Sequence, residues 1–301
     1  MMTNQKTIDL LSQDMQDEHA AIIQYLSQAY AIGEGELACE LEAIAREEMQ
    51  HFRWLAERIV ALGGKPDMQR GKVVFGGPKV VDMLQADIEA EQTAIAHYRE
   101  HIAAIGDPTI TIWLERIIAD ETAHLAKFEG FKEEQDAAVE VRMEPAVAPA
   151  DAEKTAFLQK DATHEYTVVL QYLGHAFTTP HCEVEHELEY SAVEEMLHMG
   201  WLAEKMESLG GRVEMVHDPL ELPADTSDML KVDIAVEERV ASEYRRQARA
   251  ADDARVSQLL NRLAGEEDHH IYIFSGLLDA VQRAAQGKPT FTIGSLLGEK
   301  Q

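Results

Sequence analysis

The chain has 301 residues and a formal net charge of -28, from 55 acidic against 27 basic side chains. Such an excess of acid repels nucleic acid and anionic membranes and leaves cations as natural partners. The length suggests two domains, each large enough for its own core.

The opening stretch MMTNQKTIDLLSQDM has no apolar signal-peptide core, and nothing in the sequence approaches about 18 uninterrupted apolar residues. A soluble, cytoplasmic protein is expected. Cys39 and Cys182 are the only cysteines. They read as reduced thiols, and the lack of a Cys-x-x-Cys pair excludes a rubredoxin-type iron centre.

The first four periodic segments are helical. Leu11, Met15, Glu18, Ile22, Tyr25 and Ala29 step by three or four, as do Leu41, Ile44, Glu48, His51, Leu55, Ile59 and Leu62. Leu84, Ile88, Glu91, Ile95 and Tyr98 follow, then Ile110, Leu114, Ile117, Glu121, His124, Phe128 and Phe131. The stretch LGGKPDMQRGKVVFGGPKVV between the second and third segments is loop.

The pattern then starts again. EEMQHFRWLAERIVALGG at 47–64 returns as EEMLHMGWLAEKMESLGG at 194–211, an offset of 147. Glu18, Gln24 and Tyr25 return at the same offset as Glu165, Gln171 and Tyr172, and Glu91, Glu121 and His124 return at 146 as Glu237, Glu267 and His270. The change by one residue falls in the loop, where insertions are tolerated. VRMEPAVAPADAEK joins the copies as a linker.

The expected fold class is therefore all-α, two tandem four-helix bundles with eight long helices and no sheet. The expected boundaries are a first bundle over 1–137, a linker over 138–151, a second bundle over 152–286 and a tail over 287–301.

Each apolar stripe is interrupted midway by Glu, and in two helices of each copy by Glu-x-x-His, whose two members share a helix face. Glu18, Glu48, His51, Glu91, Glu121 and His124 should thus converge inside the first bundle, and Glu165, Glu195, His198, Glu237, Glu267 and His270 inside the second. Spacings of 30, 43 and 30 residues in one copy and 30, 42 and 30 in the other return each ligand to mid-bundle height, since a helix rises about 1.5 Å per residue. Buried carboxylates need partners, and the stripes carry no Lys or Arg. Two divalent cations per bundle would balance the charge, and the oxygen-rich donor set with some nitrogen suits iron or manganese and admits zinc. The competing expectation, a polar core satisfied by hydrogen bonds, lacks buried counter-charges.

These residues and their spacing resemble the ferritin-like di-iron carboxylate proteins, and within them bacterioferritin, here duplicated in tandem over about 7–136 and 153–285. The resemblance implies that Glu48 and Glu121 bridge two irons, with Glu18 and His51 completing one and Glu91 and His124 the other. It likewise implies that Glu195 and Glu267 bridge, with Glu165, His198, Glu237 and His270 terminal, and that Tyr25 and Tyr172 stand beside the metals. The implied activity is that of a ferroxidase, oxidation of Fe(II) by dioxygen or hydrogen peroxide, in iron storage and detoxification. A rubrerythrin-like peroxide reductase would want a further Glu where Ala94 and Val240 stand. A non-redox iron- or manganese-binding module is the alternative from another class.

Met49 and Met196 stand where bacterioferritin has its haem-ligating methionine. Packing residues are the default reading of both, and a haem b held between them is the alternative. The self-similar halves suggest pairing, within the chain or in a homo-oligomer. The ending FTIGSLLGE resembles the C-terminal targeting peptides of encapsulin cargo proteins. It implies a shell protein as partner, contacted through Ile293, Gly294, Ser295, Leu296 and Leu297, and the interior of an encapsulin compartment as location. A tail packed on its own bundle is the alternative.

Of the remaining acids and histidines, His19 and His164 read as surface or rim residues. Glu47 and Glu194, about 100° round the helix from the ligands, read as solvated. Glu89 and Glu238 have no counterpart in the other copy and are set aside.

Overall fold

A computed structural model describes residues 4–135, 139–140 and 152–287. Eight α-helices run through them: α1 (Asn4–Ile32), α2 (Glu36–Ala61), α3 (Val80–Ile105), α4 (Pro108–Glu134), α5 (Ala152–Ala176), α6 (Cys182–Ser208), α7 (Thr226–Ala250) and α8 (Ala254–Ala285). Among the described residues the sole β feature is an isolated antiparallel bridge between Lys79 and Glu140, so the all-α expectation holds.

Local chemistry sets the helix ends. Asp107, Asp225 and Asp253 sit in extended backbone just before α4, α7 and α8, and each side chain accepts hydrogen bonds from first-turn amides that would otherwise lack partners. Pro108 follows at the start of α4, where a missing N–H costs nothing. Gly106 closes α3 with φ of 65°, a left-handed conformation that a side chain would strain.

The described residues divide into two compact units, 1–163 with 202–215 and 164–201 with 216–301. In the first, α1 packs on α2 and α3 on α4, and the two hairpins join through α1 against α3 and α2 against α4. The stripe residues Leu11, Met15, Leu41, Ile44, Leu55, Ile59, Leu84, Leu114, Ile117 and Phe128 are buried there. The second unit has a core drawn from four helices: Val168, Tyr172 and Ala176 of α5, Val184, Leu188 and Ala192 of α6, Leu230 of α7 and Phe274 of α8.

The 62–79 connection crosses from α2 to α3 in irregular backbone, and α1 supplies the bonds that pin it. The Gly71 amide donates to the Gln16 carbonyl at 2.8 Å, and the Val74 amide to Gln24 Oε1 at 3.0 Å. In the second unit the Glu221 amide donates to Gln171 Oε1 at 3.1 Å, so the repeated glutamine does the same work. Buried backbone without sheet partners has to be satisfied by side chains in this way.

Burial separates two apolar residues of α4. Phe128 is fully buried and its ring lies 5.1 Å from that of Tyr25, whereas Ile112 is 66% exposed. Phe128→Ala is expected to lose about 3–5 kcal/mol and Ile112→Ala less than about 0.5 kcal/mol, read from urea midpoints of the metal-free protein. Equal losses would mean that the buried face of α4 is misassigned.

Candidate metal centres

The six ligand candidates of the first copy meet in the middle of its bundle, and each is 4% exposed or less. Donor atoms of Glu18, Glu48, His51 and Glu121 lie within 4.8 Å of one another, as do those of Glu48, Glu91, Glu121 and His124. Two residues, Glu48 and Glu121, belong to both quartets. His51 Nδ1 lies 2.8 Å from Glu48 Oε2 and 3.1 Å from Glu121 Oε1, and His124 Nδ1 lies 2.9 Å from Glu48 Oε1 and 3.2 Å from Glu121 Oε2. Each shared carboxylate thus turns one oxygen to each imidazole.

The second copy repeats this. Glu165, Glu195, His198 and Glu267 form one quartet and Glu195, Glu237, Glu267 and His270 the other, sharing Glu195 and Glu267. His198 Nδ1 stands 2.7 Å from Glu195 Oε2, and His270 Nδ1 2.8 Å from Glu195 Oε1. The paired imidazoles are 6.0 Å apart, centroid to centroid, in both sites.

The outer contacts hold the inner groups. Tyr25 donates to Glu91 Oε1 at 2.6 Å, and Tyr98 donates to Glu18 Oε1. Tyr244 donates to Glu165 Oε1, but the Tyr172 hydroxyl is buried with no hydrogen-bond partner among the described residues. The far imidazole nitrogens are occupied too: His124 Nε2 meets Glu47 at 2.8 Å, His270 Nε2 meets Glu194 at 3.0 Å, and His51 Nε2 meets Asp120 at 3.5 Å. Partners at Nε2 fix the ring so that Nδ1 faces the carboxylates.

One helical turn before Glu91, the fully buried Asp87 accepts from Gln24 and Gln28, each at 2.8 Å. Its counterpart Asp233 accepts from Gln171 at 2.8 Å and meets His175 Nδ1 at 2.9 Å. Burial pushes Asp87 up to about 7, with the two amides drawing it part of the way back.

Charge is divided unequally among the carboxylates. Burial raises Glu18 and Glu91 well above the ordinary value, and the nearby Glu121 and Glu48 raise them further. Burial and Glu121 push Glu48 upward as well, but the imidazoles at its two oxygens outweigh them and hold it low. Glu121 is likewise pushed up by burial and held far down by His124 and His51. Burial opposes the charge of both imidazoles, yet the carboxylates around them raise His51 well above the ordinary value and His124 to about 10. In the metal-free first site the imidazoles and the terminal acids thus hold protons more tightly than usual and the two shared glutamates less tightly.

In the second site the same causes raise Glu165 and Glu237 and lower Glu195, with His198 pushed up to about 9 and His270 to about 12. Each quartet offers three carboxylates and one imidazole, a donor set that fits iron or manganese and admits zinc. Glu237 Oε1, buried without a hydrogen-bond partner, is the kind of oxygen a cation would satisfy.

The ferritin-like domain family matches residues 8–135 and again 155–284. The chain belongs to that family, as a tandem duplicate. It is 35% identical over 130 residues to the bacterioferritin of Desulfovibrio desulfuricans, covering 41% of this chain and 73% of that protein. It is 28% identical over 116 residues to the 3-demethoxyubiquinol 3-hydroxylase of an Acidovorax species, covering 34% of this chain and 56% of that enzyme. A crystal structure of the Desulfovibrio bacterioferritin, which describes its diiron site in different catalytic states, aligns with 36% identity and a TM-score of 0.41, over 44% of this chain and 80% of that one.

The ferritin-like halves contain residues that periodicity alone assigned elsewhere. His19, expected at the surface, is buried between the Phe52 ring and the Gln69 carbonyl, because the 62–79 connection lies over that face of α1. Glu47 and Glu194, expected to be solvated, keep partial exposure but reach histidines on α4 and α8. Tyr98 and Tyr244 went unassigned as ligand partners because a tyrosine on an apolar stripe reads as core. The repeat offset that singled out Tyr25 and Tyr172 picks out Tyr98 with Tyr244 and Asp87 with Asp233 equally well. Met49 and Met196 are half-buried on α2 and α6, each one residue after a shared glutamate. Ile293, Gly294, Ser295, Leu296 and Leu297 lie outside the described residues. Among those described, no helix is long and apolar enough to cross a membrane.

These shifts give the metal-free protein a definite pH dependence. Histidines with an ordinary value of 6.5 lose protons when the chain unfolds at neutral pH that His124 and His198 keep when it is folded, and the upward shifts of Glu18 and Glu91 act in the same direction. Stability should therefore fall as pH rises from about 6.5 through the folded values near 9 for His198 and 10 for His124. The lowered Glu121 and Glu195 act at the other end, and their contribution is lost on acidification below 4.5. Melting curves of the stripped protein between pH 6.5 and 9 check this, and a melting temperature that rises over that window would refute the charge assignment.

Proposed function

We propose that the chain is a ferroxidase with two di-iron carboxylate sites, oxidising Fe(II) to Fe(III) with dioxygen or hydrogen peroxide in iron storage or detoxification. The observation that carries this reading is the pair of quartets sharing two glutamates, present twice and buried each time. Two irons, when held there, can pass two electrons to one oxidant without releasing one-electron radicals.

The chain's own groups then have distinct work. Glu48 and Glu121 face both cation positions, and Glu195 and Glu267 do so in the second copy. Glu18 with His51 and Glu91 with His124 close the two ends of the first site. A cation would need the Nδ1 atoms of His51 and His124 and the carboxyls of Glu18 and Glu91 free of protons, so loading releases whatever protons they hold. Tyr25 and Tyr98 hold the terminal carboxylates in place, and Glu47 and Asp120 keep the imidazoles turned inward. The surrounding apolar stripes limit water at the site.

Anaerobic Fe(II) titration of stripped protein followed by air should give rapid growth of oxo-bridged diferric absorption with a break at four irons per chain, one for each quartet. Glu48→Ala with Glu195→Ala should slow that growth by more than about 100-fold while leaving the helical content intact. Four bound irons without rapid oxidation would favour a metal-holding module, and turnover of hydrogen peroxide with an electron donor and no mineral would favour a peroxide reductase.

The proposal extends to location. FTIGSLLGE offers the aliphatic anchors Ile293, Leu296 and Leu297 with glycines that permit close backbone approach, the form of an extended peptide docked in a groove of an encapsulin shell. Residues 288–301 fused to an unrelated fluorescent protein should be retained inside co-expressed shells, and their deletion should leave the melting temperature and iron oxidation of the parent unchanged. A marked loss of thermal stability on deletion would instead mean that the tail packs on its own bundle.

A further inference from the structure

The two copies repeat their ligands but not the wall between those ligands and solvent. In the first bundle a cavity of about 330 Å³ lies between α1 and α3, and Glu18, Glu48, Glu91 and Glu121 line its inner end. Its outer end is framed by Asp17, Lys72, Val74, Glu89, Thr93 and His97, with Ala90 and Ala94 between. Asp17, Glu89 and Thr93 are exposed, the two alanines and His97 partly so, and the inner glutamates buried, so the cavity joins surface to site. Glu48 Oε1 and Glu121 Oε1 at that inner end lie 2.9 and 3.1 Å from imidazole nitrogens but make no aligned hydrogen bond.

The second copy carries different side chains at the matching positions, most of them larger. Ala21, Ala90 and Ala94 become Val168, Val236 and Val240, Thr93 becomes Arg239, and Asp17 becomes His164. Glu89 becomes Ala235 and His97 becomes Glu243. Val168 and Val240 are 2% and 7% exposed, filling space on the face where the first bundle keeps bare methyls. The charge of Arg239 is felt at the ligand Glu237, so this face carries a cation close to the site.

We infer that the α1–α3 cavity admits divalent cations to the first site, that the second bundle is closed on the matching face, and that the two sites therefore load at unequal rates. This rests on the reading of the quartets as metal sites. At the mouth of the first cavity a dication meets Asp17 and Glu89 beside a single cation, Lys72, and passes His97, whose Nδ1 is 3.6 Å from Asp17 Oδ2, before reaching the inner carboxylates. On the matching face of the second site Val168, Val236 and Val240 stand in place of alanines, and loading through it must wait for packed helices to part.

Stopped-flow mixing of the stripped full-length chain with Co(II), followed by d–d absorption, tests this without any redox step. Two phases of similar amplitude are expected, separated by about tenfold or more because the closed face must open first, with four Co(II) bound per chain at the end. Ala90→Val with Ala94→Val should abolish the fast phase and leave the final stoichiometry unchanged. Val236→Ala with Val240→Ala and Arg239→Thr should speed the slow phase, an independent check should the first variant fold poorly. A single phase in the parent, or a fast phase that survives Ala90→Val with Ala94→Val, would overturn the inference while leaving the metal sites in place. No cobalt bound at all would overturn the metal-site reading beneath it.

Discussion

Four carboxylates buried in the middle of each bundle, on stripes without a lysine or arginine, are the constraint on which the rest depends. Burying even one unpaired carboxylate costs several kcal/mol, so the fold must deliver compensation to the same few ångströms. It does so with two imidazoles per site, each wedged between two shared glutamates, and by raising the proton affinity of the terminal glutamates. Helix length, ligand height and the long connection before the third helix of each copy all follow from bringing six side chains from four helices to one level.

That constraint acts on the ligands and their charge sum, and weakly on what stands a few ångströms further out. The divergence between the copies is distributed accordingly. All six ligand types repeat, whereas Gln28 on Asp87 is replaced by His175 on Asp233, and the hydrogen bond from Tyr25 to Glu91 has no equivalent at Tyr172. A buried acid needs a donor, but an amide or an imidazole will serve.

The sequence made the ligands legible because they break a rule: a glutamate on an apolar helical stripe stands out, and two Glu-x-x-His pairs per copy stand out further. It hid the groups that obey the rules. Tyr98 looks like core and is core, and its hydroxyl still finds Glu18. Glu47 looks solvated and is partly so, yet its side chain is long enough to reach His124 from the next helix face. His19 was misplaced for another reason: what buries it is an irregular segment some fifty residues away in sequence, and helical periodicity carries no trace of such a cover.

Tandem duplication changes what these outer positions are free to do. In an assembly of identical subunits a substitution beside one metal site appears beside every other, so a wall that is closed in one copy is closed in all. Joined in one chain, the two copies are present in equal number yet vary separately. The ligands cannot use that freedom, since the loss of one carboxylate or imidazole unbalances a buried charge sum. The walls can, because exchanging alanine for valine at a half-exposed position alters access without touching the balance inside. The differences between Ala90, Ala94 and Thr93 and their counterparts Val236, Val240 and Arg239 are of the kind this physics permits.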